Sequence, residues 1–93
     1  MEYEWDEAKA AANLAKHEIS FKAAVLVFSD PNRIDRDSTR RDDGEMRRIA
    51  IGQIGDRIVA VISTTRPTGP RIISARKARR DERFDYRQGS RPG

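Results

Sequence analysis

The sequence contains no cysteine, so neither a disulfide nor a thiolate metal site is open to it, a usage that fits a reducing cytoplasm. It has one histidine, His17, and its carboxylates form no cluster beyond the loop pair Asp42 and Asp43, so no metal-ligand set can be read from it. Long apolar runs are missing as well. No stretch approaches the roughly 18 residues of a membrane span, and the opening MEYEWDEAKA has neither the basic nor the apolar region of a secretion signal, so no membrane role is expected. Aromatics make up only 6% of 93 residues and hydrophobic residues 37%. Trp5, Phe21, Phe28 and the run 58–62 supply the core of a single small domain, expected over residues 1–87 with a disordered tail at 88–93.

Charge is plentiful and unevenly placed. The net charge is +4, yet residues 1–65 hold ten Lys and Arg against twelve Asp and Glu, while residues 66–93 hold nine against three. Fifteen of the nineteen basic residues are arginine, whose planar fork binds phosphate or carboxylate through two parallel bonds and stacks on bases. An anionic partner follows, with RNA, DNA and an acidic protein all open on charge alone.

MEYEW alternates and reads as a short opening strand. Asp6 then caps a helix over 7–17, with Ala8, Ala11, Ala12 and Ala15 recurring on one face, and Ser20 caps a second in which Phe21, Ala24, Val25 and Phe28 share a face until Pro31. RID is a weak strand, DSTRRDDG a polar loop, EMRRIAIGQI at 45–54 an alternating strand, and Gly55-Asp56 a turn into the doubly apolar strand RIVAVIST. RPTGP at 66–70 is a turn, and RIIS leads from it into the last helix. The fold class is α+β: two N-terminal helices, a mostly antiparallel sheet of about four to five strands, and a C-terminal helix.

With Ser74 as its N-cap, that last helix spans 75–87 and gathers Arg76, Arg80, Arg83 and Arg87 on one sector, Arg79 beside them and Ala75, Ala78 and Tyr86 on another. The cationic ridge is either a solvated face or a partner surface, and Tyr86 either a core anchor or a platform for a base.

YEWDEAKAAANLAKHEISFKAAVLVFSDP, GEMRRIAIG and RIISARKARRDERFDY, in that order over residues 3–87, resemble the BrnT-type toxins of bacterial type II toxin–antitoxin modules. Two positions depart from the family's usual pattern: Glu18 stands where a glycine commonly follows the Lys-His pair, and Ser63 where a tyrosine is frequent. The resemblance implies a small cytoplasmic ribonuclease of RelE-like fold that cleaves RNA and halts growth. It also implies a BrnA-like, ribbon-helix-helix antitoxin as partner, with operator DNA bound only through the toxin–antitoxin complex.

Metal-free RNA cleavage needs a base for the 2′-hydroxyl, cations for the charge developing on phosphorus and an acid for the leaving 5′-oxygen. Glu45 is the candidate base, its alternative an exposed strand-edge carboxylate. Arg66 and Arg71 flank the 66–70 turn and either clamp one phosphate or pair with carboxylates; Arg76, in the expected first helical turn, joins them. His17 is an acid or base candidate or a group capping carbonyls at a helix end. Arg47, Lys16, Arg79, Arg80, Arg83 and Tyr86 are the candidate RNA contacts, and no cofactor is implied. The competing reading is a basic nucleic-acid- or protein-binding domain without chemistry.

Overall fold

Asp6 sets the start of the first helix. Its carboxylate accepts from the N–H groups of Ala8 (2.8 Å) and Lys9 (3.1 Å), opening α1, Glu7–His17. The computed structural model describes residues 3–37 and 46–89. At the other end Glu18 lies in the left-handed region (φ 58°, ψ 30°) while its N–H donates to the Leu14 carbonyl at 2.9 Å. A side chain is strained there and glycine is not, a physical reason for the glycine common at this position in the toxins the sequence resembles.

The Ser20 hydroxyl accepts from the Ala23 N–H at 3.0 Å and caps α2, Phe21–Ala24, after which the chain tightens into a 3₁₀ helix, Val25–Ser29. Asp30 is extended, as the residue before Pro31 should be. Four strands follow: β1 (Ile34–Asp37), β2 (Arg47–Ile54), β3 (Arg57–Arg66) and β4 (Gly69–Lys77), all antiparallel in the order β1-β2-β3-β4. Gly55, at φ 61°, makes the tight turn between β2 and β3 that its freedom at positive φ allows. The central strand β3 is apolar on both faces because both are covered. Val59 and Val61 meet Phe21, Val27 and Ile72 under the N-terminal helices, while Ala60 and Ile51 meet Tyr86 under the C-terminal helix. Each fully buried Phe21, Ile51 or Ile72 contributes roughly 1.5–3 kcal/mol relative to exposure.

The N-terminal segment also satisfies backbone groups along the outer edge of β4. Among the described residues the expected opening strand is one parallel bridge at Glu4, which bonds the Pro70 carbonyl (3.1 Å) and the Ile72 N–H (2.9 Å) on the outer edge of β4. Further along that edge, buried Asn13 of α1 accepts from the Ala75 N–H at 3.1 Å and donates to the Ala75 carbonyl at 2.9 Å and to the Ile19 carbonyl at 2.9 Å.

Those bonds correct the expected strand-to-helix junction. Held on both its polar groups, Ala75 stays extended, so β4 continues to Lys77 and the C-terminal helix α3 spans Arg80–Gly89. Ser74 is therefore a mid-strand residue, its hydroxyl donating to Asn13 Oδ1 at 3.3 Å, and not an N-cap. Arg76 sits opposite Ala60 in the sheet and not in a first helical turn. Glu82 caps α3 instead, accepting from the Arg79 N–H at 2.7 Å in the reach-back half of a capping box. The helix runs two residues past 87, and residues 90–93 of the expected tail lie outside the described residues.

Tyr86 fastens α3 to the sheet. It is 7% exposed, and its hydroxyl donates to Asp30 Oδ2 at 2.6 Å, an oxygen that also accepts from the Gln53 N–H at 2.8 Å. Gly52 makes this junction possible, since a Cβ there would lie 2.9 Å from Val27 Cγ1 and 3.3 Å from Asp30 Oδ2. Tyr86 is thus a core anchor and not a platform for a base: its ring is enclosed and its hydroxyl committed.

Candidate functional site

Alternation along paired strands gathers one set of side chains on the face of the sheet that α3 covers in part. Arg47, Thr64 and Arg71 are direct cross-strand partners on β2, β3 and β4, so they form one row on that face; Ile49, Ile62 and Ser74 form the next. Arg66, two residues after Thr64 and paired with Gly69, shares the face at its turn end. Beside the start of α3 this face opens into a cleft of about 320 Å³, lined by Ile49, Ile62 and Ile73 and by the polar groups of Arg47, Ser74, Arg76 and Arg79.

Arg76 is held by a carboxylate. Its Nη1 donates to Glu82 Oε1 at 2.7 Å and its Nη2 to Glu82 Oε2 at 3.0 Å, a bidentate pair in which the glutamate side chain is 4% exposed and the arginine 18%. The Arg76 bonds hold the Glu82 carboxyl below the usual glutamate range against the opposing cost of burial, with the Arg79 N–H adding to the effect. The same pairing raises the Arg76 guanidinium further above its ordinary value. Glu82 therefore remains an anion and Arg76 a cation through the physiological range, and the remaining guanidinium N–H groups stay directed by a fixed partner. Thr64 adds a second feature: it is 2% exposed and its hydroxyl has no hydrogen-bond partner, although the residues across from it on both sides are arginines.

The other residues expected at a site are dispersed. His17 ends α1, one turn beyond Asn13 on the same helical face, and Asn13 touches Ser74 and Ala75. The α1 C-cap bond comes from the Glu18 backbone. Lys16 is exposed. The helix divides the expected ridge: Arg79 reaches the cleft, Arg80 lies beside Phe84 on the outer side, and Arg83 turns to donate to the Ala78 carbonyl at 2.6 Å. Arg76 leaves the ridge altogether, being in β4. Glu45 lies outside the described residues.

Asn13, Glu82 and Asp30 are the residues that sequence reasoning did not single out. Asn13 carried a signal, as a polar side chain amid alanines one turn before His17. Glu82 carried less, because the residue three before it is Arg79 and not one of the usual capping types. Burial pushes the Asp30 carboxyl up, but hydrogen bonds from Tyr86 and from the Gln53 and Asn32 N–H groups, with Arg33 nearby, outweigh it and hold it below the usual aspartate range.

Residues 5–82 match the model of a family described as the ribonuclease toxin, BrnT, of type II toxin–antitoxin systems. The chain belongs to this family. No curated protein is significantly similar to it. BrnT membership makes the chain a ribonuclease toxin, with RNA as substrate and an antitoxin as partner. It also agrees with an arginine-lined cleft on a small α+β domain. Among the described residues no helix is long and apolar enough to cross a membrane.

Proposed function

We propose that the cleft between the sheet and the start of α3 is where this BrnT-family toxin binds and cuts RNA, by attack of the 2′-hydroxyl on the adjacent phosphorus without a metal ion. The observation that carries the reading is a cleft in which Arg47 and Arg79 join an Arg76 aimed by Glu82, with Thr64 and Arg71 in the cross-strand row of Arg47. Converging, preorganised cations are what a phosphorane needs, because they cost no reorganisation when its charge develops.

In this reading the 2′-oxygen bonds to phosphorus as Glu45 takes its proton, and the bond from phosphorus to the 5′-oxygen breaks as His17 protonates that oxygen. Arg71, Arg76 and Arg66 stabilise the phosphoryl oxygens, and Arg47 and Arg79 hold the flanking backbone, with Lys16, Arg80 and Arg83 more distant contacts. A BrnA-like, ribbon-helix-helix antitoxin neutralises the toxin, operator DNA is bound only through their complex, and free toxin arrests translation and growth in the cytoplasm. Cleavage of RNA in EDTA-containing buffer tests the proposal. The wild type should cut, and Arg71→Ala, Arg76→Ala and Glu45→Gln should each lose about 100-fold or more in rate, the size expected for an electrostatic or acid–base group. A binding module without chemistry would leave the RNA intact and would not arrest growth on expression.

A further inference from the structure

A second cationic depression lies on the other side of the junction between β4 and α3. It has a volume of about 240 Å³ and is lined by Asp56 from the turn before β3, Arg57 from the start of β3, Lys77 from the end of β4, and Arg83 and Arg87 from α3. Asp56 is the only carboxylate among its lining residues. The Arg57 guanidinium and the Lys77 ammonium are exposed and have no carboxylate partner among the described residues. Arg83 is held at the wall by its bond to the Ala78 carbonyl at 2.6 Å.

We propose that the notch holds a second phosphodiester of the RNA strand whose scissile phosphate occupies the cleft. The proposal rests on the reading of the cleft given above. Continuity favours RNA. Arg76 and Lys77 are consecutive on β4 and point to opposite sides, while Ala78 lines the notch and Arg79 the cleft, so the two linings meet at the junction of β4 and α3. The outer side of α3 has a different character: Phe84, 61% exposed, is surrounded by Arg80, Asp81 and Asp85, a mixture of both charges with apolar area that suits a protein partner better. A notch lined by four cations and one carboxylate suits a polyanion.

The test uses the full chain and its Arg57→Ala/Lys77→Ala variant, neither residue being part of the cleft. Two probes are compared, a trinucleotide and a long single-stranded RNA, with the melting temperature of both proteins measured as a check on folding. The variant should cut the trinucleotide at the wild-type rate but bind the long RNA more weakly. The slope of its log affinity against log salt should be shallower by about 1.4, as expected for two lost phosphate contacts on a single strand. Unchanged affinity and slope would overturn the proposal, and so would unchanged RNA binding combined with loss of the antitoxin, which would make the notch a protein surface. If the wild type cuts neither RNA, the cleavage reading of the cleft fails, and the salt slope on the long RNA still decides whether the notch binds phosphate.

Discussion

Arg76 on β4 and Glu82 on α3 face each other through two parallel hydrogen bonds of 2.7 and 3.0 Å, and the glutamate also caps the helix that carries it. One carboxylate thus joins a strand, a helix start and a cation of the cleft. Removing it leaves Arg76 charged, poorly solvated and unpaired. Glu82→Ala should therefore lose about 3–5 kcal/mol of stability in urea denaturation, a large part of the roughly 5–15 kcal/mol a domain possesses. Glu82→Gln keeps an oxygen for the Arg79 N–H, so it should fold with a smaller loss and cut RNA more slowly than its stability explains, because Arg76 is no longer aimed.

The acid limb of stability follows from the same pair. The folded carboxyl of Glu82 is depressed below its ordinary 4.5, so its contribution is complete above that pH and is lost as the pH falls through the folded value. Asp30, depressed as well, acts in the same direction. Thermal melts across the acid range should show the wild type losing its advantage over Glu82→Gln below about pH 4.5, the two curves converging as the glutamate protonates.

Tyr86 governs the alkaline limb. Burial, with the Asp30 carboxylate beside it, pushes its hydroxyl from 10.0 up to about 12. A raised value means that the folded state keeps a proton the unfolded chain has released, so this contribution is present below pH 10 and is lost between 10 and 12. Tyr86→Phe should be less stable than the wild type at neutral pH by about 1 kcal/mol, the net worth of a typical hydrogen bond, and should show a smaller decline in that alkaline window. Its RNA affinity should equal that of the wild type, because the ring is enclosed in the core; a marked loss of affinity would contradict that placement.

Glu18 offers a stabilising change. Held at φ 58° with its N–H engaged, it bears a strain that glycine does not. Glu18→Gly should raise stability by about 0.5–1 kcal/mol, several degrees in melting temperature for a domain of this size. Differential scanning calorimetry of the two proteins is sufficient to check it.

Asn13 should be among the least replaceable residues away from the cleft. Its amide satisfies three backbone groups, of which two belong to Ala75 and one to Ile19. Asn13→Ala leaves them buried without partners and should cost about 2–4 kcal/mol, with faster hydrogen exchange at the Ala75 amide as the local sign. Asn13→Asp keeps the acceptor but loses both donors and brings an anion to two carbonyls, so it should be no better tolerated.

Local chemistry was enough for much of this molecule. Asp6 and Ser20 are caps because a carboxylate or hydroxyl at that position satisfies the free N–H groups of a helix start, and both bonds form where the residue types put them. The alternation of 47–54, the Gly55-Asp56 turn and the doubly apolar 57–64 run specify a hairpin and a central strand. The three ordered motifs pointed to the toxin family that residues 5–82 match.

Tertiary structure decided the rest. Ser74 reads equally well as a helix cap or a strand residue, and the choice was made by Asn13, 62 residues before Ala75 along the chain, through bonds that no local pattern contains. Moving the helix start to Arg80 took Arg76 from an exposed ridge into the sheet and paired it with Glu82, and the partner that Tyr86 finds, Asp30, lies 56 residues away along the chain. Spacing along one chain determines which side chains share a face. Which face meets which partner is settled only when strands and helices distant in sequence satisfy each other's buried polar groups.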